Sequence, residues 1–404
     1  MEKELNDSRK TRIGSLTGVR FPAIFLVFLA HVYLAVPFSS QDAATWYFHY
    51  FGGIGKVGVS FFYLLSGFIL AWSPRKNDSP VLFWRRRLTK ILPMHWLTYA
   101  LSMIIFASSA VTGTAAVLNF FMLQAWSSSP EVFGSVNAPS WSLSCLLVFY
   151  LLFPWLNRAV ARIRTAYLWW CVAAIVAVIA ALPAIVREVV SPDPMLTPQA
   201  PASSPHAFWI IQLFPMTRLL DFTLGILMAR IVRTGKWIGV RPLPLALLLV
   251  AAYLASHQVP REYRLVAVMI VPLTLFIASL AASDLAGRPS LLASRPVQWL
   301  GDLSYAFFLV HWPVMMFFVK VFGTRLYTVP QAIGVMALDF TVALGLAWLL
   351  TVAVERPLVR RFAKPRRPEY VTDQRSTPAP AGSAGRLSAV HPRDRRPRDT
   401  RLGK

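Results

Sequence analysis

The sequence predicts an all-α, polytopic membrane protein: a helical bundle of about ten transmembrane helices with both termini in the cytoplasm. Three observations lead to this prediction. Hydrophobic residues make up 56% of the 404 residues, above the roughly 45–50% typical of soluble domains. They are concentrated in runs of about 20 residues, the length that an α-helix needs to cross a bilayer. Finally, the cations between these runs cluster in alternate connecting segments, as the positive-inside rule describes.

Hydropathy places ten helical spans along the chain. They lie near residues 16–37, 54–73, 90–110, 139–157, 165–187, 208–232, 239–256, 262–283, 301–323 and 331–354. The connecting segments that we place in the cytoplasm carry most of the cations, whereas residues 38–53 and 111–138 carry none. Arg261 and Arg264 are the main exceptions. Because an odd number of spans would spoil this alternation, we expect an even number.

The composition divides the chain into three parts. Residues 1–14 are expected to be a disordered basic N-terminal arm, residues 15–360 the transmembrane domain, and residues 361–404 a disordered Pro/Arg-rich cytoplasmic tail. The tail has almost no large apolar side chains and cannot bury enough surface to fold alone. Its cations could touch the inner leaflet of the membrane, or they could be solvated without a role.

The formal net charge of +23 would suit a nucleic-acid-binding protein, but the positions of the cations argue against that function. They cluster at the ends of apolar segments and in the tail, where they would face anionic lipid headgroups. We therefore expect membrane lipids, and no nucleic acid, as partners. The two cysteines, Cys145 and Cys171, both lie within apolar segments, so two free thiols are expected.

The first span carries a cation at its start and a histidine inside. His31 lies eleven positions after Arg20, which on an α-helix places them on one face and about 16 Å apart. If Arg20 lies at one membrane edge, His31 lies near the middle of a hydrocarbon layer about 30 Å thick. An ionisable side chain at that depth indicates a functional site. The alternative is a neutral histidine that makes one hydrogen bond to a neighbouring helix.

A basic run precedes the third span on the cytoplasmic side. Arg85, Arg86, Arg87 and Lys90 place four cations within six residues. Ordinary anchoring of the membrane topology would explain two or three of them. Arg87 and Lys90 are three residues apart and share one helical face. Such a pair would suit the phosphates of a cytoplasmic, nucleotide-like ligand.

Two further motifs bring polar side chains to the ends or the interior of spans. Trp141 and Ser142 open the fourth span; they could form an interfacial cap with an aromatic anchor, or face a substrate. Ser304 and Tyr305 precede a second intramembrane histidine, His311, which lies on nearly the same helical face as Ser304. A packed polar contact is the alternative there. No spacing of residues is typical of a metal site, and no permanently bound cofactor is expected.

Taken in order, these motifs resemble those of the integral membrane acyltransferases called acyltransferase family 3. The resemblance covers about Leu16 to Pro357 and rests on six elements: Arg20 with His31, Gly58–Phe68, Arg85–Pro93, Trp141–Ser144, Ser304–Pro313 and Glu355–Pro357. The residues around Ser140–Ser144 and the stretch Pro93–Trp96 also resemble the actinobacterial branch that acylates macrolides and their sugars. The chain departs from the family pattern at Lys90, where a second arginine is usual, at Leu146, where a glutamate is usual, and at His95, where a tyrosine is frequent.

The resemblance implies an O-acyltransferase of the plasma membrane that uses acyl-CoA as its co-substrate. The acceptor would be a hydroxyl of a sugar or of a glycosylated or macrolide natural product. The implied general base is His31, since a positioned neutral imidazole can take a hydroxyl proton. The implied donor-binding residues are Arg20, Arg86, Arg87 and Lys90. The candidates for the acceptor pocket are Trp141, Ser142, Ser304, Tyr305 and His311.

Other functions remain open at this point. A transporter or flippase of a glycosylated or acylated lipid also fits ten spans and buried ionisable residues, although the repeat symmetry frequent in transporters is not visible in the sequence. O-acetylation of a cell-surface polysaccharide is a second alternative. A non-catalytic relic is a third, because Leu146 stands where the family pattern has a carboxylate.

Overall fold

The computed structural model describes residues 13–73, 79–190, 204–264, 266–323 and 325–362. Most of the predicted arm (1–12) and of the predicted tail (363–404) therefore lies outside the described residues. The described part is helical, and its β-structure is one isolated bridge between Phe38 and Tyr327. Ile13 is buried, and Gly14 begins the first helix. The predicted all-α class is confirmed.

Seventeen α-helices follow one another along the described part of the chain. The first nine are α1 (Gly14–Gly18), α2 (Arg20–Val32), α3 (Gln41–Phe51), α4 (Ile54–Trp72), α5 (Pro80–Ile105), α6 (Gly113–Phe120), α7 (Pro130–Phe133), α8 (Trp141–Arg162) and α9 (Leu168–Val189). The remaining eight are α10 (Pro205–Gln212), α11 (Pro215–Arg233), α12 (Pro242–Ala255), α13 (Arg261–Arg264), α14 (Ile270–Leu285), α15 (Arg295–Phe322), α16 (Val329–Leu350) and α17 (Arg356–Phe362). A π-helical turn, Thr351–Glu355, joins α16 to α17.

Seven helical stretches of the described chain are long and apolar enough to cross a membrane. They are Gly14–Val32, Gln41–Trp72, Ala138–Arg162, Thr165–Val189, Pro205–Arg233, Arg295–Phe322 and Val329–Phe362. The other three predicted spans also coincide with helices. Helix α5 has 26 residues, but its cations and His95 lower its hydropathy, and α12 and α14 have only 14 and 16 residues. The chain is thus a membrane protein with seven clear candidate spans.

Several helices begin at a hydroxyl residue followed by proline. Ser79 accepts a hydrogen bond from the backbone N–H of Leu82, and Pro80 is the first residue of α5. Ser204 caps α10 in the same way, accepting from Ala207. Proline is tolerated there because the first N–H groups of a helix have no intrahelical partner. These local signals fix where α5 and α10 start.

Helices α4 and α11 approach so closely that their backbones touch. A Cβ atom added at Gly67 would lie 2.0 Å from the carbonyl oxygen of Phe222, and one added at Gly225 would lie 2.0 Å from that of Leu64. Small residues allow such contacts between helices in lipid. Gly67 and Gly225 are therefore packing residues. This pair forms the centre of the larger of two main apolar cores.

The second main core joins α2, α15 and α16 and determines where the two intramembrane histidines lie. The ring of Phe28 on α2 packs against Phe307 on α15, with centroids 5.9 Å apart, and against Phe340 on α16, with centroids 5.5 Å apart. Phe307 and Phe340 are also 5.5 Å apart. Because Phe28 lies one turn before His31 and Phe307 one turn before His311, this aromatic cluster holds the two histidines side by side.

Candidate active site

A cavity of about 160 Å³ lies among α2, α4, α5, α8 and α15. Its polar lining residues are Arg20, Tyr63, Ser66, Arg87, Lys90, Ser142, Tyr150, Ser304 and Tyr305. Apolar side chains, among them Phe62, Leu146 and Phe308, form the rest of its wall. Three cations and a set of hydroxyl groups therefore face one mostly apolar chamber, which is the common composition of a small-molecule site.

The cations of this cavity have aromatic and acidic neighbours. The guanidinium carbon of Arg87 lies 5.5 Å from the ring centroid of Phe83 and 5.9 Å from that of Tyr150. The Lys90 Nζ lies 5.7 Å from the ring centroid of Tyr305. Stacking on aromatic faces fixes the direction of a long cationic side chain. These contacts place the cationic groups of Arg87 and Lys90 at the cavity wall.

Two carboxylates moderate this positive charge. Glu355 Oε1 forms an ion pair with Lys90 Nζ at 3.2 Å. Arg20 lies within electrostatic range of Asp302 and Glu355, and also of Arg87. The second carboxylate oxygen of Glu355 is buried without a hydrogen-bond partner. An anionic ligand that enters the cavity would meet three cations, but it would have to compete with Glu355 for Lys90.

The hydroxyl groups predicted for the acceptor pocket line the cavity, and each already donates a hydrogen bond to a backbone carbonyl. Ser304 Oγ donates to the Gly301 carbonyl at 2.7 Å, and Ser142 Oγ donates to the Pro139 carbonyl at 3.0 Å. Tyr305 Oη donates to the Ile91 carbonyl at 3.2 Å. Their oxygen lone pairs remain available, so these side chains are better suited to accept a hydrogen bond from a ligand than to donate one.

Six of the ten predicted site residues line the cavity, and four do not. Arg20, Arg87, Lys90, Ser142, Ser304 and Tyr305 are brought together there. Arg86 and Trp141 are half-buried and lie outside its lining. His31 and His311 also lie outside the lining, deeper in the bundle, and form a site of their own.

The two intramembrane histidines contact each other directly. Nδ1 of His31 lies 3.0 Å from Nε2 of His311, and the rings are nearly parallel with centroids 5.3 Å apart. His311 is completely buried, and its Nδ1 lies 3.2 Å from the carbonyl oxygen of Phe307. His31 is only partly buried. The Trp312 ring stands nearly perpendicular to that of His31, with centroids 5.6 Å apart.

These contacts determine which nitrogen of each neutral ring carries the proton. A carbonyl oxygen can only accept, so Nδ1 of His311 donates to Phe307 and Nε2 of His311 is left as an acceptor. Nδ1 of His31 must then donate to that acceptor. The remaining nitrogen, Nε2 of His31, keeps a free lone pair, and His31 is the residue of the pair that is partly exposed. A base whose orientation is fixed by a second group is a frequent arrangement in enzymes that activate a hydroxyl.

Phe308 is the residue that connects the cavity with the histidine pair. It lines the cavity, and its ring centroid lies 5.9 Å from that of His311. Along α2, the cavity residue Arg20 and His31 are separated by about 16 Å. A ligand held by the cations would therefore have to extend over a comparable distance to bring a reacting group to His31.

The model of acyltransferase family 3, described as an acyltransferase domain, matches residues 13–353. The chain belongs to this family. Acyltransferase MdmB from Streptomyces mycarofaciens is 37% identical over 382 residues, which cover 91% of this chain and 97% of that protein. The exopolysaccharide production protein ExoZ from Rhizobium meliloti (strain 1021) is 30% identical over 107 residues, which cover 25% of this chain and 33% of ExoZ. No solved structure matches the chain significantly.

The family match includes every predicted site residue of this acyltransferase, from Arg20 to His311, and ends two residues before Glu355. Leu146, where the family pattern has a glutamate, lines the cavity. At this position the cavity wall of the acyltransferase is apolar, whereas the family pattern would place a carboxylate there. Within the described residues, no group of three or more acidic, histidine or cysteine side chains could hold a metal ion.

Sequence reasoning missed three polar residues inside the bundle. Arg218 and Asp221 form a buried ion pair on α11, and Arg218 also donates to Ser60 on α4. Their signal was visible, since two opposite charges three residues apart in an apolar span are costly unless paired. Asn137 is completely buried and donates to the backbone of α15.

Proposed function

We propose that this acyltransferase is an O-acyltransferase that moves an acyl group from acyl-CoA to a hydroxyl group of a sugar or of a glycosylated or macrolide natural product. The observation that carries the proposal is the contact between His31 and His311. It leaves Nε2 of His31 as a free, oriented base, and a base is what an alcohol needs in order to attack a thioester.

The proposed reaction is a direct transfer. Nε2 of His31 takes the proton of the acceptor hydroxyl while the hydroxyl oxygen forms a bond to the thioester carbonyl carbon. The tetrahedral intermediate then collapses, the carbon–sulfur bond breaks, and the coenzyme A thiolate leaves with the electron pair. The protonated His31 returns its proton to that thiolate. The products are an ester and free coenzyme A, and the histidine pair is restored.

His311 supports this reaction without touching the reacting atoms. Its Nε2 accepts the Nδ1 proton of His31, which fixes the ring orientation and stabilises the imidazolium that forms during the transfer. The backbone carbonyl of Phe307 holds His311 in the tautomer that this requires. His311 is therefore a positioning residue, in a different role from the pocket residue that the sequence had indicated.

The donor would be bound by the cations of the cavity. Arg20, Arg87 and Lys90 all face it, and charge-assisted hydrogen bonds from such groups to phosphate are among the strongest in proteins. Arg86 lies in the same basic run and could contribute outside the cavity lining. We infer that the coenzyme A phosphates bind at this end and that the acyl arm passes Phe308 toward His31.

Two acceptor classes are supported. The resemblance of residues Ser140–Ser144 and Pro93–Trp96 to the branch of the family that acylates macrolides and their sugars favours a macrolide or its sugar. MdmB, which is similar over nearly the whole length of both proteins, is named as an acyltransferase. ExoZ, whose name refers to exopolysaccharide production, matches only a quarter of this chain. A surface polysaccharide is therefore the second candidate acceptor.

We further propose ten membrane crossings in the plasma membrane, with both termini in the cytoplasm. This proposal is supported by the coincidence of all ten predicted spans with helices and by the cations of the connecting segments. Reporter fusions to the two termini test it. An even number of crossings requires the same reporter signal at both ends, and opposite signals would contradict it.

The decisive experiment for the proposed activity measures acceptor-dependent release of free coenzyme A. Membranes that contain the protein are incubated with labelled acyl-CoA, with and without macrolide, sugar or polysaccharide acceptors. We expect stoichiometric release of coenzyme A and formation of a labelled ester only with a suitable acceptor. Movement of a preformed ester across the membrane without coenzyme A release would instead support a transporter and would contradict the proposal.

A further inference from the structure

The helix that carries His311, α15, also contains a proline. The backbone carbonyl one turn before this proline therefore needs a hydrogen-bond donor from elsewhere. Pro313 lies inside α15. Proline has no backbone N–H, so it cannot donate to the carbonyl of Leu309, four residues earlier. Leu309 is completely buried. In the membrane interior, water cannot supply the missing donor, and protein groups have to do so.

Asn137 supplies that donor from a distant part of the chain. Its side-chain Nδ2 donates to the Leu309 carbonyl oxygen at 2.9 Å, across 172 residues of sequence. Asn137 is also completely buried. The side-chain amide thus replaces the intrahelical hydrogen bond that Pro313 removes, and it ties the segment before α8 to the centre of α15.

The backbone around Asn137 is held in an unusual conformation. The preceding residue, Val136, has a φ angle of +55° and is almost completely buried. A β-branched residue rarely adopts a positive φ. Such outliers persist only where the surrounding structure enforces them, and they are concentrated at functional sites. Here the outlier immediately precedes the side chain that reaches α15.

The hydrogen-bonded carbonyl lies within the segment that orients the histidine pair. Leu309 lies between Phe307, whose carbonyl accepts from His311, and His311 itself. We infer that Asn137 is a positioning residue for acyl transfer: its hydrogen bond to Leu309 holds the Pro313-containing part of α15 so that His311 meets Nδ1 of His31. This inference rests on the proposed role of the histidine pair.

The test uses the fact that an alanine at position 313 restores a backbone N–H opposite Leu309. The variants Asn137→Ala, Pro313→Ala and Asn137→Ala/Pro313→Ala are compared in membranes, per amount of folded protein, for kcat and donor KM. A shift of about 1 Å in a catalytic group can cost roughly 100-fold in rate. We expect Asn137→Ala to lower kcat at least about tenfold with little change in donor KM, and the double variant to recover most of that loss.

The control is Asn137→Ala/Pro154→Ala. Pro154 is also a proline inside a helix, α8, but this helix does not contain Leu309, so an alanine there cannot restore an N–H for the Leu309 carbonyl. This variant should stay as slow as Asn137→Ala. A double variant with Pro313→Ala that is no faster than Asn137→Ala would overturn the inference. If Asn137→Ala does not fold, the yield of folded protein replaces kcat: recovery in the Pro313 double variant supports the inference, and equal failure contradicts it.

A His31→Ala variant, measured alongside, separates this inference from the proposed function. If His31→Ala keeps wild-type turnover, the proposed base role fails. If His31→Ala is inactive and Asn137→Ala/Pro313→Ala is no faster than Asn137→Ala, only the role of Asn137 fails.

Discussion

Lys90 Nζ lies 3.2 Å from Glu355 Oε1, and this pair connects the basic run of α5 to the π-helical turn that precedes α17. Lys90 is 40% exposed and lines the cavity, while the Glu355 side chain is only 10% exposed. Because a phosphate and a carboxylate compete for the same ammonium group, Glu355 occupies a position on Lys90 that an anionic donor would take.

Replacing Glu355 by glutamine should therefore improve donor binding. An ion pair with one exposed partner contributes roughly 0–1 kcal/mol, so we expect the KM for acyl-CoA to fall about two- to fivefold, while kcat changes little. Steady-state kinetics at varied acyl-CoA concentration measure both values. A clear increase in donor KM would show that Glu355 helps to hold the donor site together and does not compete with it.

Arg87→Ala should have the opposite effect on the donor. The guanidinium of Arg87 faces the cavity and is oriented by Phe83 and Tyr150. Loss of a charge-assisted hydrogen bond costs about 1.5–3 kcal/mol, which corresponds to a rise in donor KM of roughly 10- to 100-fold. Arg85→Ala is the matched control, since Arg85 belongs to the same basic run but is exposed and does not line the cavity. An unchanged donor KM in Arg87→Ala would exclude the phosphate-binding role.

The ion pair between Arg218 and Asp221 should matter for stability and not for the reaction. Both side chains are buried, and removal of one would leave an uncompensated charge, which typically costs 3–5 kcal/mol. We expect Arg218→Met and Asp221→Leu each to lower the thermal transition temperature in detergent, and the double variant to regain most of the loss. If the double variant is less stable than either single variant, hydrophobic replacement does not compensate and this explanation is wrong.

Gly225→Ala should prevent close packing of α4 and α11. The added methyl group would lie 2.0 Å from the Leu64 carbonyl oxygen, a distance that two backbones can relieve only by moving apart. Gly345 on α16 has no atom within 4 Å of the corresponding position, so Gly345→Ala is the control. We expect a strong loss of folded protein for Gly225→Ala and no loss for Gly345→Ala, measured by size-exclusion chromatography. Equal yields would contradict the packing account.

The sequence could predict the helical class, and it could single out residues of the cavity and of the histidine pair, because both leave local signals. A run of about 20 apolar residues indicates a span wherever it occurs, and a histidine inside such a run stands out without any knowledge of its neighbours. For the same reason Arg218 and Asp221 could have been found. The number of crossings is harder to predict, because α5 combines a long helix with four cations, and α12 and α14 are short.

Relationships between distant residues could not be predicted in this way. His31 and His311 are 280 residues apart in sequence, and neither flanking motif indicates that the two rings touch. The separation of the pair from the cation-lined cavity likewise depends on how α2 and α15 pack. Asn137 carries no signal of its own, because its role depends on the N–H that Pro313 lacks in another helix.

Turnover of a His31→Ala variant tests whether Nε2 of His31 takes the proton of the acceptor hydroxyl. Labelled acyl transfer is measured in membranes with saturating acyl-CoA and acceptor, at equal amounts of folded protein, with His206→Ala as control, since His206 is exposed on α10. General base catalysis typically contributes about 10²–10⁴-fold. We therefore expect turnover by His31→Ala to fall at least about 100-fold while His206→Ala keeps wild-type turnover; wild-type turnover by His31→Ala would contradict the account.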